Sequence, residues 1–331
     1  MKCSIAMATY NGEKYIKEQM MSLISQSVLA DEVIISDDFS TDNTVKIVEE
    51  FIKEHQLASW QVVKNAENVG YAKNFYNALK YTKGDIVFLC DQDDVWLPTK
   101  IQKMLETMEK NPKIRGLNTL YDIIDSEGKP SEAVLGFVNK NFDGKLVKIE
   151  QEQFFSDSKL RGFAGCFRRK LLIDVGIFNP NFSVGIAHDI FLNGMAAVSG
   201  ENYLLRECLT HYRFSGENAS MQYLKNNKKT KKEKAELIDC HLQALYFYKS
   251  YAEKHGIVWE VADKKFSIDR FITFEEQRLK LYETKNIFLW LGLIKFYPQY
   301  WIIKQGYSEN INLFLQAMRI YGGDLIYALL R

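Results

Sequence analysis

The first ninety residues alternate between two hydrophobic periods, and that alternation leaves the chain few folds to choose from. Cys3–Thr9, "EVIIS" (32–36), "WQVVKN" (60–65) and "DIVFLC" (85–90) are short, apolar runs of strand type. Between them lie patterns of helical period. Glu13–Gln26 carries Ile16, Met20, Leu23 and Ile24 on one stripe, Thr41-Asp42-Asn43 caps a helix running to about His55, and a third helix lies near Tyr71–Tyr81. Strand and helix in turn predict an α/β fold with a mainly parallel sheet covered by helices. Ligands of open sheets of this kind bind beyond the carboxyl ends of the strands. Three polar clusters fall at such ends: Tyr10-Asn11, Asp37-Asp38 and Asp91–Asp94.

The rest of the chain is less regular. From Arg115 to Glu150 the pattern loosens into short strands and turns, and residues 160–213 mix helix and strand. A lysine-rich run, "KNNKKTKKEK" (225–234), then leads into a tail that reads as mainly helical and aromatic. The charge divides at the same place. From Leu224 onward there are 18 Lys+Arg against 12 Asp+Glu, which leaves 25 against 30 before it, so an acidic front precedes a basic tail. The five cysteines (Cys3, Cys90, Cys166, Cys208, Cys240) are scattered and lack CxxC spacing, so they read as reduced core thiols and not as a zinc site or disulfide framework. The N-terminus begins as a strand without a signal-peptide layout. The longest apolar run, Ile287–Ile294, falls far short of the roughly 18–20 residues that span a bilayer. The expectation is a cytoplasmic protein.

Three carboxylates within four residues at the end of a buried strand, Asp91, Asp93 and Asp94, repel one another unless something cationic compensates them. Hard oxygen ligands suit Mg²⁺ or Mn²⁺, which bridge carboxylates to substrate phosphates; a solvated acidic turn is the plainer alternative. "ATYNG" (8–12) replaces the Gly-rich loop of a dinucleotide site, with Tyr10 offering an aromatic face and Asn11 a polar contact. An ordinary Asn-Gly turn explains it equally well. Asp37 and Asp38 exceed what capping of the next helix needs, and a carboxylate can accept the ring N–H of uracil or thymine. His188-Asp189 precedes an amphipathic helix, so Asp189 is either a cap or a general base.

"MATYNGEKYIKEQMMSLISQS", "DEVIISDDFSTDNT", "CDQDDVWLP" and the later "HD" occur in an order that resembles a family 2 glycosyltransferase of GT-A fold, over about residues 2–215. Within that family "GCFRRKLL" and "HDIFLNGMAAVSG" look most like the bacterial rhamnosyltransferase-like branch of surface polysaccharide synthesis. The resemblance implies a catalytic domain over 1–223, with a nucleotide-binding half (1–114) and an acceptor-binding half (115–223), followed by a helical region over 224–331. It implies an inverting enzyme that moves a sugar from a nucleotide diphosphate, dTDP-rhamnose or a UDP-sugar, to a saccharide on a lipid carrier, with no nucleic-acid partner. Carried across, Asp189 is the base, and Asp93 and Asp91 hold Mn²⁺ or Mg²⁺, with Asp94 as neighbour. Ala8, Tyr10, Asn11, Asp37, Asp38, Lys73, Asp91 and Gln92 face the donor. Gly165, His188 and Arg213 lie on the acceptor side or support the site. Ser215 stands where a histidine is common in the family.

Two rivals stay open at this point. A nucleotidyltransferase would want a Gly-rich, basic phosphate loop after the first strand, and "ATYNGEKY" is a poor one. A catalytically degenerate binding subunit would not need both Asp93 and Asp189. The segment Lys285–Lys304 could lie on a membrane surface, since lysine clusters attract anionic lipid, or pack on the catalytic domain or a second copy of the chain.

Overall fold

The computed structural model of the protein describes residues 1–131, 142–151, 160–179, 182, 185–215, 230–257, 267–293, 324, 325 and 328. The front half follows the alternation: β1 (Cys3–Thr9), α1 (Ile16–Ile24), β2 (Glu32–Asp37), α2 (Thr44–Glu54), β3 (Trp60–Lys64), α3 (Tyr71–Tyr81) and β4 (Ile86–Cys90). Then come β5 (Val95–Trp96), α4 (Lys100–Lys110), β6 (Gly116–Ile124) and β7 (Leu146–Lys148). A 3-10 turn (Gly162–Ala164) leads to β8 (Gly165–Arg168), α5 (Arg169–Asp174), α6 (His188–Val198) and β9 (Asn202–Arg213). The tail contributes α7 (Lys231–Lys254), α8 (Ile268–Thr284) and α9 (Ile287–Leu293).

The strands join one sheet in the order β3-β2-β1-β4-β8-β6-β9-β5, with β7 on β9. The first four pair in parallel, as their crossover helices require. β8 runs antiparallel between β4 and β6, and β6 pairs in parallel with β9. The sheet is therefore mixed, with its parallel part at the β3–β4 end. Helix α1 starts later than the Glu13–Gln26 pattern because Gly12 O accepts the N–H groups of both Tyr15 and Ile16, which makes 13–15 a turn. The loose stretch after Arg115 holds one long strand, β6, whose buried side chains lock it between β8 and β9.

Each face of the sheet has its own core. Ile16, Met20, Val48, Phe51, Ile101 and Met104 pack on one side; Phe75, Leu79, Phe191, Leu192 and Met195 pack on the other. Each such fully buried side chain contributes about 1.5–3 kcal/mol through area removed from water. The tail helices belong to the second core through Leu242, Leu245, Tyr248 and Phe271. Tyr248 of α7 stacks on Phe191 of α6 at 5.9 Å between ring centroids. A Cβ at Gly194 would lie 2.3 Å from the Tyr248 hydroxyl, so the glycine is what lets the two helices close. Cys3, Cys90 and Cys166 are core thiols; Cys208 and Cys240 are only half-buried, which corrects the reading of all five as core.

Candidate active site

The loops after β1, β2 and β4 interlock at the carboxyl edge of the sheet. Gln92 holds Tyr10 from both sides: its Oε1 accepts the Tyr10 N–H at 2.8 Å, and its Nε2 donates to Tyr10 O at 3.0 Å. Asn11 adopts the left-handed conformation (φ 46°); its N–H donates to Ser40 Oγ, and its Oδ1 accepts the Thr41 N–H at 2.8 Å. Asp37 accepts from Thr9 Oγ1, Ser40 Oγ and the Ser40 N–H. Asp38 accepts from Asn65 Nδ2 and from the N–H groups of Val69 and Gly70, at the start of α3. Both carboxylates are buried and shape the edge themselves. Tyr10 and Phe39 stand exposed on the adjoining loops. Phe39 was not singled out by sequence; its φ of 64° is unusual for a bulky residue and has no sequence signature.

Next to them the acidic loop Asp91–Asp94 is cramped. Burial, Asp93 and the Asp189 carboxylate push Asp91 up to about 8. Asp94 is fully buried, its Oδ1 accepts the Arg213 N–H at 3.0 Å, and its Oδ2 has no partner among the described residues. Burial, Asp93 and Asp91 push its pKa well above the carboxylate range. A carboxylate cluster so destabilised, with an orphaned oxygen, fits a divalent cation, whose charge would reverse these shifts. Two cations of the protein already brace it. Arg213 donates through Nε to Asp93 O and through Nη2 to Glu18, with its guanidinium 4.6 Å above the Tyr15 ring. Lys100 is fully buried, 3.7 Å over the Trp96 ring, and donates to Phe163 O and Thr210 Oγ1. Burial lowers its pKa to about 7. Lys100 was missed, although a signal existed: it sits one and two helical turns before Met104 and Met108, on the buried stripe of α4.

The second half of the sheet brings Asp189 to this edge. The 3-10 turn puts the Gly162 N–H 3.2 Å from Asp189 Oδ2, while Asp189 Oδ1 accepts the Ile190 N–H. Asp189 is half-buried, and its charge adds to the burial and the Asp93 charge that raise the pKa of Asp91. A Cβ at Gly162 would meet His188 Nε2 at 2.9 Å and Asp189 Cβ at 3.2 Å; glycine is needed for this approach. His188 is buried against Phe75, with ring centroids 3.6 Å apart, and neither ring nitrogen has a partner among the described residues. Burial holds it neutral, with its pKa lowered to about 4. Gly165 opens β8 opposite Asn118, where a Cβ would meet Asn118 Oδ1 at 3.0 Å. Ala8 is half-buried near the end of β1. Lys73 is exposed in the first turn of α3 and makes no hydrogen bond or ion pair with this set among the described residues.

The sequence model of glycosyl transferase family 2 matches residues 4–175. A dTDP-rhamnosyl transferase, RfbG of Shigella flexneri, is 39% identical over 204 residues, which are 57% of this chain and 64% of that protein; the chain thus spans less than two thirds of its length. The Escherichia coli protein WfgD, a UDP-Glc:alpha-D-GlcNAc-diphosphoundecaprenol beta-1,3-glucosyltransferase, is 26% identical over 75% of this chain and 91% of its own length. Among solved structures, Staphylococcus aureus TarS 1-349 in complex with UDP-GlcNAc shares the fold at a TM-score of 0.61 and 17% identity, over 99% of this chain and 89% of that one. With an acidic loop after β4 and a family match across half its length, the chain belongs to the family 2 glycosyltransferases, enzymes of the GT-A fold.

Proposed function

We propose that the chain transfers a sugar, with inversion, from a nucleotide diphosphate to a saccharide hydroxyl, using Asp189 as general base. The observation that carries this reading is the bond from the Gly162 N–H to Asp189 Oδ2, made by a 3-10 turn that packs against Leu89 of β4, two residues before the acidic loop. Asp189 is anchored by two backbone N–H groups and keeps lone pairs to take the acceptor proton. The acceptor oxygen then bonds to the anomeric carbon as the bond to the diphosphate breaks, and the electron pair leaves with the diphosphate. Asp93 and Asp91 would hold the divalent cation, Asp94 lying beneath them. When bound, Mg²⁺ or Mn²⁺ neutralises charge on the departing diphosphate.

Tyr10 and Phe39 offer exposed aromatic faces for the base, with Asn11, Asp37, Asp38 and Gln92 fixing the loops that carry them. The rhamnosyl relative supports dTDP-rhamnose as donor, with a UDP-sugar as the alternative. The glucosyltransferase relative supports an acceptor on a lipid diphosphate, and a cytoplasmic protein at the inner face of the membrane belongs to the same proposal. The division at 223, with a catalytic domain before it and a surface-binding or dimer-forming region after it, belongs to the same proposal.

Thermal shift tests the donor site. A donor at 100 times its Kd raises the stability of the native state by about 2.7 kcal/mol. dTDP-rhamnose or UDP-glucose with Mn²⁺ raises the melting temperature, the donor without metal raises it less, and Asp93→Asn abolishes the metal-dependent part. An unchanged metal-dependent rise in Asp93→Asn would mean the cation is held elsewhere.

A further inference from the structure

On β6 and β9, Asp122, Cys208 and His211 place one carboxylate oxygen, one sulfur and one imidazole nitrogen within 4.8 Å of one another. We propose that these three residues bind a borderline-soft divalent ion, Zn²⁺, at a site separate from the acidic loop.

The backbone builds the grouping. Asp122 of β6 lies directly opposite His211 of β9 in the parallel register. Cys208 and His211 are three apart, and in a regular strand they would point to opposite faces. Between the pairs Leu120↔Cys208 and Asp122↔His211, β6 advances two residues while β9 advances three. That extra residue is a bulge, and it returns Cys208 to the face of His211. Cys208 Sγ consequently lies 3.5 Å from Asp122 Oδ2. Tetrahedral zinc, with bonds of about 2.0–2.3 Å, sets its ligand atoms roughly 3.3–3.8 Å apart, so this pair already has the required spacing.

The donor types separate this site from the acidic loop. Thiolate and imidazole favour zinc, whereas all-oxygen sets favour Mg²⁺ and Mn²⁺. The group also lies on the face of β9 away from the turn that anchors Asp189. Thr210 and Tyr212 turn toward the 3-10 turn that anchors Asp189, through the Lys100 contact and the 4.8 Å stack of Tyr212 on Phe163. His211, between them, points the other way. All three ligands are half-buried, and three protein ligands leave a fourth position for water. The ion ties β6 to β9 two residues before Arg213, the residue that braces Asp93 and Asp94. Sequence spacing alone gave no hint of this, because Asp122 is 86 residues from Cys208 and only the bulge unites them.

Cobalt substitution tests it, since a thiolate ligand gives Co²⁺ an intense charge-transfer absorption that oxygen ligands do not. Full-length protein stripped with a chelator is titrated with Co²⁺ and then with Zn²⁺, and retained zinc is counted after gel filtration. One equivalent, a thiolate band that zinc displaces and excess Mg²⁺ does not, and a melting temperature raised by zinc are expected. Cys208→Ser loses the band, His211→Gln weakens binding at least tenfold, and Asp93→Asn keeps both band and affinity. Absence of the band in the unaltered protein overturns the proposal. So does a band that survives Cys208→Ser or disappears in Asp93→Asn. His211→Gln leaves the thiol in place and provides a second reading if Cys208→Ser fails to fold.

Discussion

At the scale of single residues, the proposed site rests on carboxylates whose surroundings differ. Asp189 is held by the N–H groups of Gly162 and Ile190, while Asp91 is pushed up to about 8 by burial and by its acidic neighbours. Asp189→Asn keeps an oxygen for one of the two N–H groups but cannot take a proton at neutral pH. Transfer is expected to fall roughly 10²–10⁴-fold, the scale of a lost general base, with donor binding retained. The lost anchor costs about 1 kcal/mol. Melting temperature and transfer rate measured on one preparation check this, and near-normal transfer would move the base to another residue. His188 gives a separate, pH-dependent signature. In the unfolded chain a histidine takes up its proton near pH 6.5, whereas the buried ring stays neutral down to about pH 4. Between those values the unfolded state binds more protons, so stability falls as pH falls, by up to about 1.4 kcal/mol per pH unit from this residue. His188→Gln does not titrate there. The stability advantage of the unaltered protein over the variant should therefore shrink as pH drops through the window, by urea unfolding at several pH values. An advantage that stays constant would show that the ring is not held neutral.

The elements show which parts of this design can be read from sequence and which cannot. Helix α3 matches its expected span of Tyr71–Tyr81, and β1 and β2 agree to within a residue, because their periodicity is set by a buried face. The strand-end position of Asp91–Asp94 was legible for the same reason. What the pattern could not give is the use each polar group finds across the fold. Asp38 spends its oxygens on the N–H groups of Val69 and Gly70 and on Asn65, contacts about thirty residues away along the chain. Lys100 and Arg213 are charged residues that go inside, against the composition-level expectation, because each finds acceptors and an aromatic face there. The Gln92–Tyr10 clamp is another such contact, and it predicts a coupling. A Cβ at Gly12 would lie 2.2 Å from Gln92 Oε1, so Gly12→Ala must swing Gln92 away and break both its bonds to Tyr10. The loss is expected to be about 1–3 kcal/mol, together with weaker donor binding. In Gln92→Ala the obstacle is already gone, so adding Gly12→Ala should cost much less. A double-mutant cycle by urea unfolding reads this directly, and strictly additive losses would mean that the two loops do not clamp one another.

For the whole molecule the open question is what the tail does beyond completing the core. Helix α7 packs on α6 and α8 packs on α7, and all three contribute to one apolar cluster, so the tail is continuous with the core of the sheet at that point. Among the described residues no helix is long and apolar enough to cross a membrane. Helix α9 behaves differently from α7 and α8. Leu293 is buried, but Phe288 is 76% exposed, Leu291 50% and Ile287 48%, a row of large apolar side chains facing outward just after Lys285. The rest of the segment expected to lie on a surface, 294–304, is outside the described residues. An apolar face beside a basic tail is what an interfacial anchor requires, with apolar burial and attraction to anionic lipid acting together. An anchor there would hold the protein close to the lipid-linked acceptors proposed above. The full-length protein is accordingly expected to sediment with vesicles containing phosphatidylglycerol and to be released as salt screens the lysines. Phe288→Ser removes about 2 kcal/mol of transferable apolar surface, so partitioning should fall by more than tenfold while turnover of a soluble acceptor analogue is unchanged. Light scattering on the same samples separates the rival explanation. A dimer that Phe288→Ser dissociates, in a protein that ignores the vesicles, would assign this face to a second copy of the chain and not to lipid.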